Sequence, residues 1–143
     1  MKKIIIVGSN SYISKHLINR LKKEETSFTT ISSTSDKSDV KLDLENIDQF
    51  DFNKINKNDL VICLAAISSP DVCQKEFKKS FNINVIGTIK FIEESIRRNA
   101  NVLFFSSDTV YGTENGRNDE DVIPIKPMGE YASMKLSVEN YFR

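Results

Sequence analysis

The sequence predicts an α/β fold, a doubly wound parallel sheet, on three observations. Short apolar runs alternate along the chain with stretches whose apolar residues recur at helical spacing. The first run, Lys3 to Val7, is continuously apolar, as expected of a strand covered on both faces. It ends in Gly8, and Ser11 and Ser14 then open a helical pattern, so strand, turn and helix follow in the order of a βαβ unit.

Taken in order, Tyr12, Ile13, Leu17, Ile18 and Leu21 give the first helix its apolar positions. Phe28 to Ile31 is a second strand and Val40 to Leu42 a short third one, with Ile47 to Ile55 read as a weakly capped helix. Leu60 to Leu64 is a buried fourth strand. Ser69-Pro70-Asp71 is a cap followed by proline at the first helical position. The helical region it opens runs with a break to Arg98, and Ile83, Ile86, Ile89, Ile92 and Ile96 are expected on its inner side. Val102 to Phe105 reads as a further strand buried on both sides, residues 112 to 127 as a polar loop, and Met128 to Arg143 as a helix. Right-handed crossovers favour the strand order 3-2-1-4-5, with ligand beyond the carboxyl ends of the first and fourth strands.

Composition narrows the function. The chain has 143 residues, of which 39% are hydrophobic and 28% charged, an ordinary soluble composition for one domain. Lys plus Arg and Asp plus Glu number 20 each. That balance gives no reason to expect a nucleic-acid or anionic-membrane partner. Cys63 and Cys73 fall in no metal-like or CxxC spacing and are expected as free buried thiols. No apolar run approaches a membrane span, and the run after Met1-Lys2-Lys3 is too short for a signal peptide. The expected location is the cytoplasm.

The spacing of Gly8, Ser11 and Ser14 is that of a G-x-x-G-x-x-G loop, in which a helix N-terminus receives a pyrophosphate. Only the first glycine is present, and a capped strand–turn–helix without a ligand explains the loop about as well. Where an acidic residue would hold a ribose diol at the end of the second strand, Ser32 stands, followed by Ser33, Thr34 and Lys37. Hydroxyls and a cation suit a 2′-phosphate better, which favours NADP slightly over NAD. Tyr131 and Lys135 lie four apart on one face of the last helix. An ammonium near a phenol favours the phenolate and readies the Tyr for acid/base work near neutral pH. His16 is expected on the surface, and the acidic run Asp119-Glu120-Asp121 as solvated loop rather than a metal site.

These segments together resemble the extended short-chain dehydrogenases/reductases, the NAD-dependent epimerase/dehydratase family. The resemblance rests on the Gly loop at 8–14, Leu64-Ala65-Ala66, Asn84-Val85-Ile86-Gly87-Thr88, Ser106-Ser107-Asp108-Thr109-Val110-Tyr111-Gly112, and Tyr131 to Lys135. Glu120-Asp121, Pro124 and Pro127 match the loop before the last motif, and the set spans the whole chain. The Asp in Ser-Ser-Asp-Thr-Val-Tyr-Gly is similar to the dTDP-4-dehydrorhamnose reductase branch, and the Ser-Ser-Pro-Asp-Val-Cys run leans the same way.

The resemblance implies roles for named residues. Tyr131 is the acid/base, Lys135 binds the nicotinamide ribose and lowers the Tyr pKa, and Ser107 bonds the reacting oxygen. Gly8, Ser11, Tyr12 and Ile13 face the pyrophosphate. Asp43 and Leu44 lie near the adenine, Leu64, Ala65 and Ala66 along the adenosine ribose, and Asn84 close to the cofactor. The implied activity is oxidoreductive change of a nucleotide-activated sugar (epimerisation, dehydration or 4-keto reduction), with surface polysaccharide synthesis as its setting. The implied assembly is a homodimer through the helices containing Asn84 and Tyr131. Family members continue past this helix into further strands and a small sugar-selecting domain. Residues 1–143 are therefore expected to be an incomplete Rossmann-type NAD(P)-binding domain, cut within its last helix and inactive alone. A non-catalytic NADP-binding regulatory or scaffold module is the alternative, which the intact Ser-Tyr-Lys set disfavours.

Overall fold

A computed structural model describes residues 3–33, 38–112 and 126–143. Lys37 and the loop residues 113–125, with Asp119, Glu120, Asp121 and Pro124, lie outside the described residues. The chain divides into two compact units, residues 1–66 with 90–105 and residues 67–89 with 106–143.

The first unit is built on a parallel sheet of β1 (Ile4–Val7), β2 (Phe28–Ser32), β3 (Val40–Lys41), β4 (Leu60–Cys63) and β5 (Asn101–Phe104). Its order is β3-β2-β1-β4-β5, as predicted from the alternation. Ile4 stands level with Phe28 on one side and Leu60 on the other, so β1 is central. Its inner residues Ile5, Ile6 and Val7 are buried with Ile31, Val61, Ile62 and Cys63. Such strands are apolar on both faces because both are covered. The buried carboxylate of Asp59 accepts from the Lys3 amide at 3.2 Å and the Asn56 amide at 2.8 Å, pinning the starts of β1 and β4.

Helix α1 (Tyr12–Lys23) begins where Ser11 accepts from the Ser14 amide and ends with Arg20, Lys22 and Lys23 in its last turn, where cations suit the helix dipole. His16 is exposed, with its ring 4.5 Å from that of Tyr12.

Two expectations for this unit need correction. Residues 47–55 form not one helix but two short 3-10 turns, Ile47–Gln49 and Phe52–Lys54. Asp51 caps a new turn by accepting from the Asn53 amide. Ile47, Phe50, Phe52 and Ile55 are spaced by three, two and three residues, a pattern no single helical face accommodates. Strand β5 is not buried on both sides: Asn101 and Leu103 are exposed while Val102 and Phe104 are half-buried. It pairs with β4 alone among the described residues.

The second unit is helical. Helix α2 (Pro70–Lys75) is capped by Ser69 with proline in its first turn, as the sequence predicts. Helix α3 (Phe77–Phe81) follows, then a π-helical stretch, Asn82–Gly87, and α4 (Thr88–Arg97), whose residues from Lys90 belong to the first unit. After a 3-10 turn, Asp108–Tyr111, the unit closes with α5 (Gly129–Phe142).

The π stretch explains a further error of phase. Ile86 and Ile96, expected inside, are exposed, whereas Ile92, also expected inside, is buried, and Asn84, Val85, Thr88, Phe91 and Ser95 are buried beside it. A wider turn shifts the face that a 3.6-residue count assigns.

Candidate active site

In the first unit the nucleotide-side residues gather where the sheet order reverses, at the carboxyl ends of β1 and β4. Gly8 has φ +88, a conformation other residues rarely adopt. A Cβ there would lie 2.6 Å from the Ala65 amide nitrogen and 2.9 Å from the Leu64 carbonyl carbon. The two predicted segments, Gly8 and Leu64-Ala65, thus touch backbone to backbone, and only glycine permits it.

The substituted loop keeps its shape by hydroxyl bonding. Ser14, fully buried where the third glycine would stand, donates to the Gly8 carbonyl at 2.7 Å. Ser11 caps α1 and donates to the Ser14 hydroxyl at 2.8 Å. Tyr12 and Ile13, read by spacing as the start of the apolar helix face, are 78% and 49% exposed. Large apolar side chains left in water at a helix N-terminus are what a bound ligand would cover.

At the end of β2, Ser32 is buried and accepts from the Asn10 amide group at 3.0 Å. Asn10 was not singled out by the sequence; nothing in its spacing marks it. Asp43 is exposed and bonds the Glu45 amide at 2.9 Å and the Asn46 side chain at 2.8 Å. These bonds, the Asn46 side chain foremost, hold its carboxyl below the ordinary value. Leu44 beside it is buried. The cradle at Gly8, the exposed Tyr12 and Ile13 and the hydroxyl-lined strand end fit a dinucleotide.

The second unit holds the residues expected to move protons. Tyr131 and Lys135 follow one another on α5, and the Lys135 ammonium stands over the Tyr131 ring, 5.8 Å from its centroid. Lys135 is only 4% exposed. Tyr131 packs against Cys73, Val85 and Met134. Burial pushes its phenol above the ordinary value, and Cys73 adds in the same direction. The lowering expected from Lys135 is not found: removal from water penalises the phenolate and raises the phenol instead.

Ser107 caps the turn that follows it. Its Oγ lies 2.8 Å from the Thr109 hydroxyl and accepts from the Thr109 amide at 3.3 Å. The Thr109 carbonyl in turn accepts from the amide of Met128, the cap residue of α5, at 3.1 Å.

Asn84 is a clamp. It is buried, accepts from the Ile67 amide at 2.8 Å and donates to the Ile67 carbonyl at 2.9 Å. Its amide also lies 3.6 Å from Met134 Sδ and 3.8 Å from Cys73 Sγ. Both cysteines are free and buried, as expected, and burial raises the Cys73 thiol. That Cys73 would lie behind Tyr131 was not visible in the sequence, because the link spans 58 positions with no shared motif. Among the described residues no cluster of His, Cys, Asp and Glu suits a metal, and no helix is long and apolar enough to cross a membrane.

The chain is 28% identical over 146 residues to the spore coat polysaccharide biosynthesis protein SpsK of Bacillus subtilis (strain 168), covering all of this chain and 49% of that protein. Its fold matches a dTDP-4-dehydrorhamnose reductase of Clostridium acetobutylicum with a TM-score of 0.80 and 25% identity, over 97% of this chain and 48% of the other. MoeE5, solved with UDP-glucose and NAD, has the same fold, with a TM-score of 0.82 and 22% identity over 96% of this chain and 47% of its own. The chain thus spans about half the length of these relatives. Residues 4–143 match the NAD dependent epimerase/dehydratase family, and the chain belongs to that family.

Proposed function

We propose that the protein of which this chain forms the nucleotide-binding part carries out oxidoreductive chemistry on a nucleotide-activated sugar. The observation that carries the reading is the stacking of Lys135 over Tyr131 on α5, with the Ser107 turn bonded to the cap of the same helix. When bound, the nicotinamide cofactor supplies or accepts a hydride at a sugar carbon. Tyr131 moves a proton on the oxygen attached to that carbon, Ser107 donates a hydrogen bond to the same oxygen, and Lys135 holds the nicotinamide ribose. Gly8, Ser11, Tyr12 and Ile13 receive the pyrophosphate, Asp43 and Leu44 flank the adenine, Leu64, Ala65 and Ala66 line the adenosine ribose, and Asn84 lies close to the cofactor. Ser32, with Lys37, favours NADP slightly over NAD.

Epimerisation, dehydration and 4-keto reduction share these residues. The likeness to SpsK supports surface polysaccharide synthesis as the setting, in the cytoplasm. A homodimer through the helices containing Asn84 and Tyr131 is supported by Ile86 on the first and Tyr141 and Phe142 on the second, all exposed and apolar. Turnover against a panel of sugar nucleotides with NAD(H) and NADP(H) tests the proposal. Cofactor binding without turnover of any sugar in the longest form of the protein would favour a non-catalytic binding module instead.

A further inference from the structure

The Ser107 turn is tied to α5 at two places. On one side the Thr109 carbonyl meets the amide of Met128, the cap residue of the helix. On the other the Ser106 hydroxyl bonds Glu139 Oε1, near the helix's far end. Met128 and Glu139 are separated by about three helical turns, roughly 16 Å along the axis. Residues 106 to 109 therefore run along the helix from its later turns toward its start, and Ser107 sits between the two anchors. Tyr131, Lys135 and Glu139 follow at intervals of four, so all three lie on one side of α5.

Glu139 is itself held. Its other oxygen, Oε2, accepts from Arg143 at 3.1 Å, and its side chain is 17% exposed. A carboxylate fixed this way is an acceptor of defined position, and bonds to an ionised acceptor are stronger than neutral ones.

Resting on the proposed catalytic reading, we infer that Glu139 is a positioning residue: through Ser106 it sets where the Ser107 hydroxyl stands along the turns that carry Tyr131 and Lys135. The chemistry needs this because Ser107 and Tyr131 must meet one oxygen atom, and they come from segments more than twenty residues apart in sequence. A misplacement of about 1 Å at such a site can cost about 100-fold in rate.

The test compares Glu139→Ala, Ser106→Ala, their double variant, and the conservative Glu139→Gln and Ser106→Thr, which keep an acceptor and a hydroxyl. Turnover is read in the longest form of the protein its coding region yields, beside cofactor affinity and the thermal midpoint. Each alanine variant should lower kcat by about 10- to 100-fold with cofactor affinity unchanged, and the double variant should fall no further, since both break one link. Glu139→Gln and Ser106→Thr should restore most of the rate.

Amide exchange in the 143-residue chain gives a second, activity-independent reading. Either alanine substitution should speed exchange at residues 107 to 110 and leave β1 and β4 unchanged. Multiplicative losses in the double variant, a Gln variant as poor as the Ala one, or unchanged exchange at 107 to 110 would each overturn the inference. A parent protein that turns over no sugar nucleotide would sink the catalytic reading, while the exchange rates would still decide whether Glu139 holds the segment.

Discussion

The proposed nucleotide end of the first unit and the proposed proton-transfer end of the second are built by opposite means. At Gly8 the working surface is backbone, and what matters is an absent Cβ: the chain approaches Ala65 so closely that any side chain would intrude. At Tyr131 the working surface is side chain, buried among Cys73, Val85 and Met134 and covered on one face by Lys135. A backbone site tolerates changes in side-chain chemistry as long as the small volume is kept, which explains how Ser11 and Ser14 replace two glycines without loss of the turn. A side-chain site tolerates no such exchange, because the identity of each group is the function. The contrast can be broken from either side.

The largest effect is expected on the side-chain site. Tyr131→Phe keeps the ring that packs against Val85 and removes the proton. In the longest form of the protein it should lower kcat by about 10²–10⁴. Cofactor affinity, measured by calorimetry, should stay the same, because the phosphate loop is untouched. A variant with normal turnover would remove Tyr131 from the mechanism.

Gly8→Ala attacks the backbone site. The positive φ alone costs about 1–3 kcal/mol in a residue with a side chain, and the overlap with Ala65 and Leu64 adds to that by forcing β1 and β4 apart at their ends. Both stability in urea and cofactor affinity should fall. Ser14→Gly is the matched comparison: it keeps the residue small but removes the hydroxyl that donates to the Gly8 carbonyl, and it should cost less than Gly8→Ala. Unchanged affinity in Gly8→Ala would mean that the cradle at Ala65 does not carry the nucleotide.

Asn84→Leu should have a smaller effect, read here in stability. The substitution nearly preserves volume but leaves the Ile67 amide without its acceptor and its carbonyl with the Cys73 thiol at 3.2 Å in place of the Asn84 amide. A buried unsatisfied group costs about 1–3 kcal/mol. The urea midpoint should drop by a corresponding amount while β1 to β4 keep their exchange protection. A midpoint equal to that of the parent would show that the Asn84 clamp is replaceable by water.

The same contrast decides what was legible in the sequence. The strand order and most strand ends follow from runs such as Ile4–Val7 and Leu60–Cys63, because burial on both faces writes a continuous apolar string. Gly8 is legible because strain of that kind admits few residues. Errors arose where a period was assumed to hold. Ile86 falls in a π turn, where a 3.6-residue count assigns the wrong face, and Ile96 is exposed although Ile92, one turn before it, is buried. Strand β5 was read as covered from composition, although Leu103 is 48% exposed. The surroundings of Tyr131 were least legible of all. Cys73 and Met134 come to it through tertiary packing, and a Tyr-xxx-Lys pattern carries no information about burial.

That burial gives the last and smallest prediction, in the pH dependence. Removal from water raises the Tyr131 phenol above its ordinary value, and the neighbouring Cys73 pushes the same way. An acid whose folded pKa is raised is favoured in its protonated form by the fold. Its contribution to stability is therefore fully present below the unfolded value near 10 and is lost as pH rises through the higher folded value. In an alkaline titration followed by phenolate absorbance, Tyr131 should ionise above the ordinary phenol value, and Tyr131→Phe should remove that late step alone. The two proteins should differ little in how stability changes with pH in neutral solution and diverge above about pH 10, where only the parent must ionise a half-buried phenol. A late step that survives in Tyr131→Phe would assign the raised group elsewhere. A parent whose Tyr131 ionises below the ordinary phenol value would mean that the ammonium over its ring, and not burial, governs the phenol.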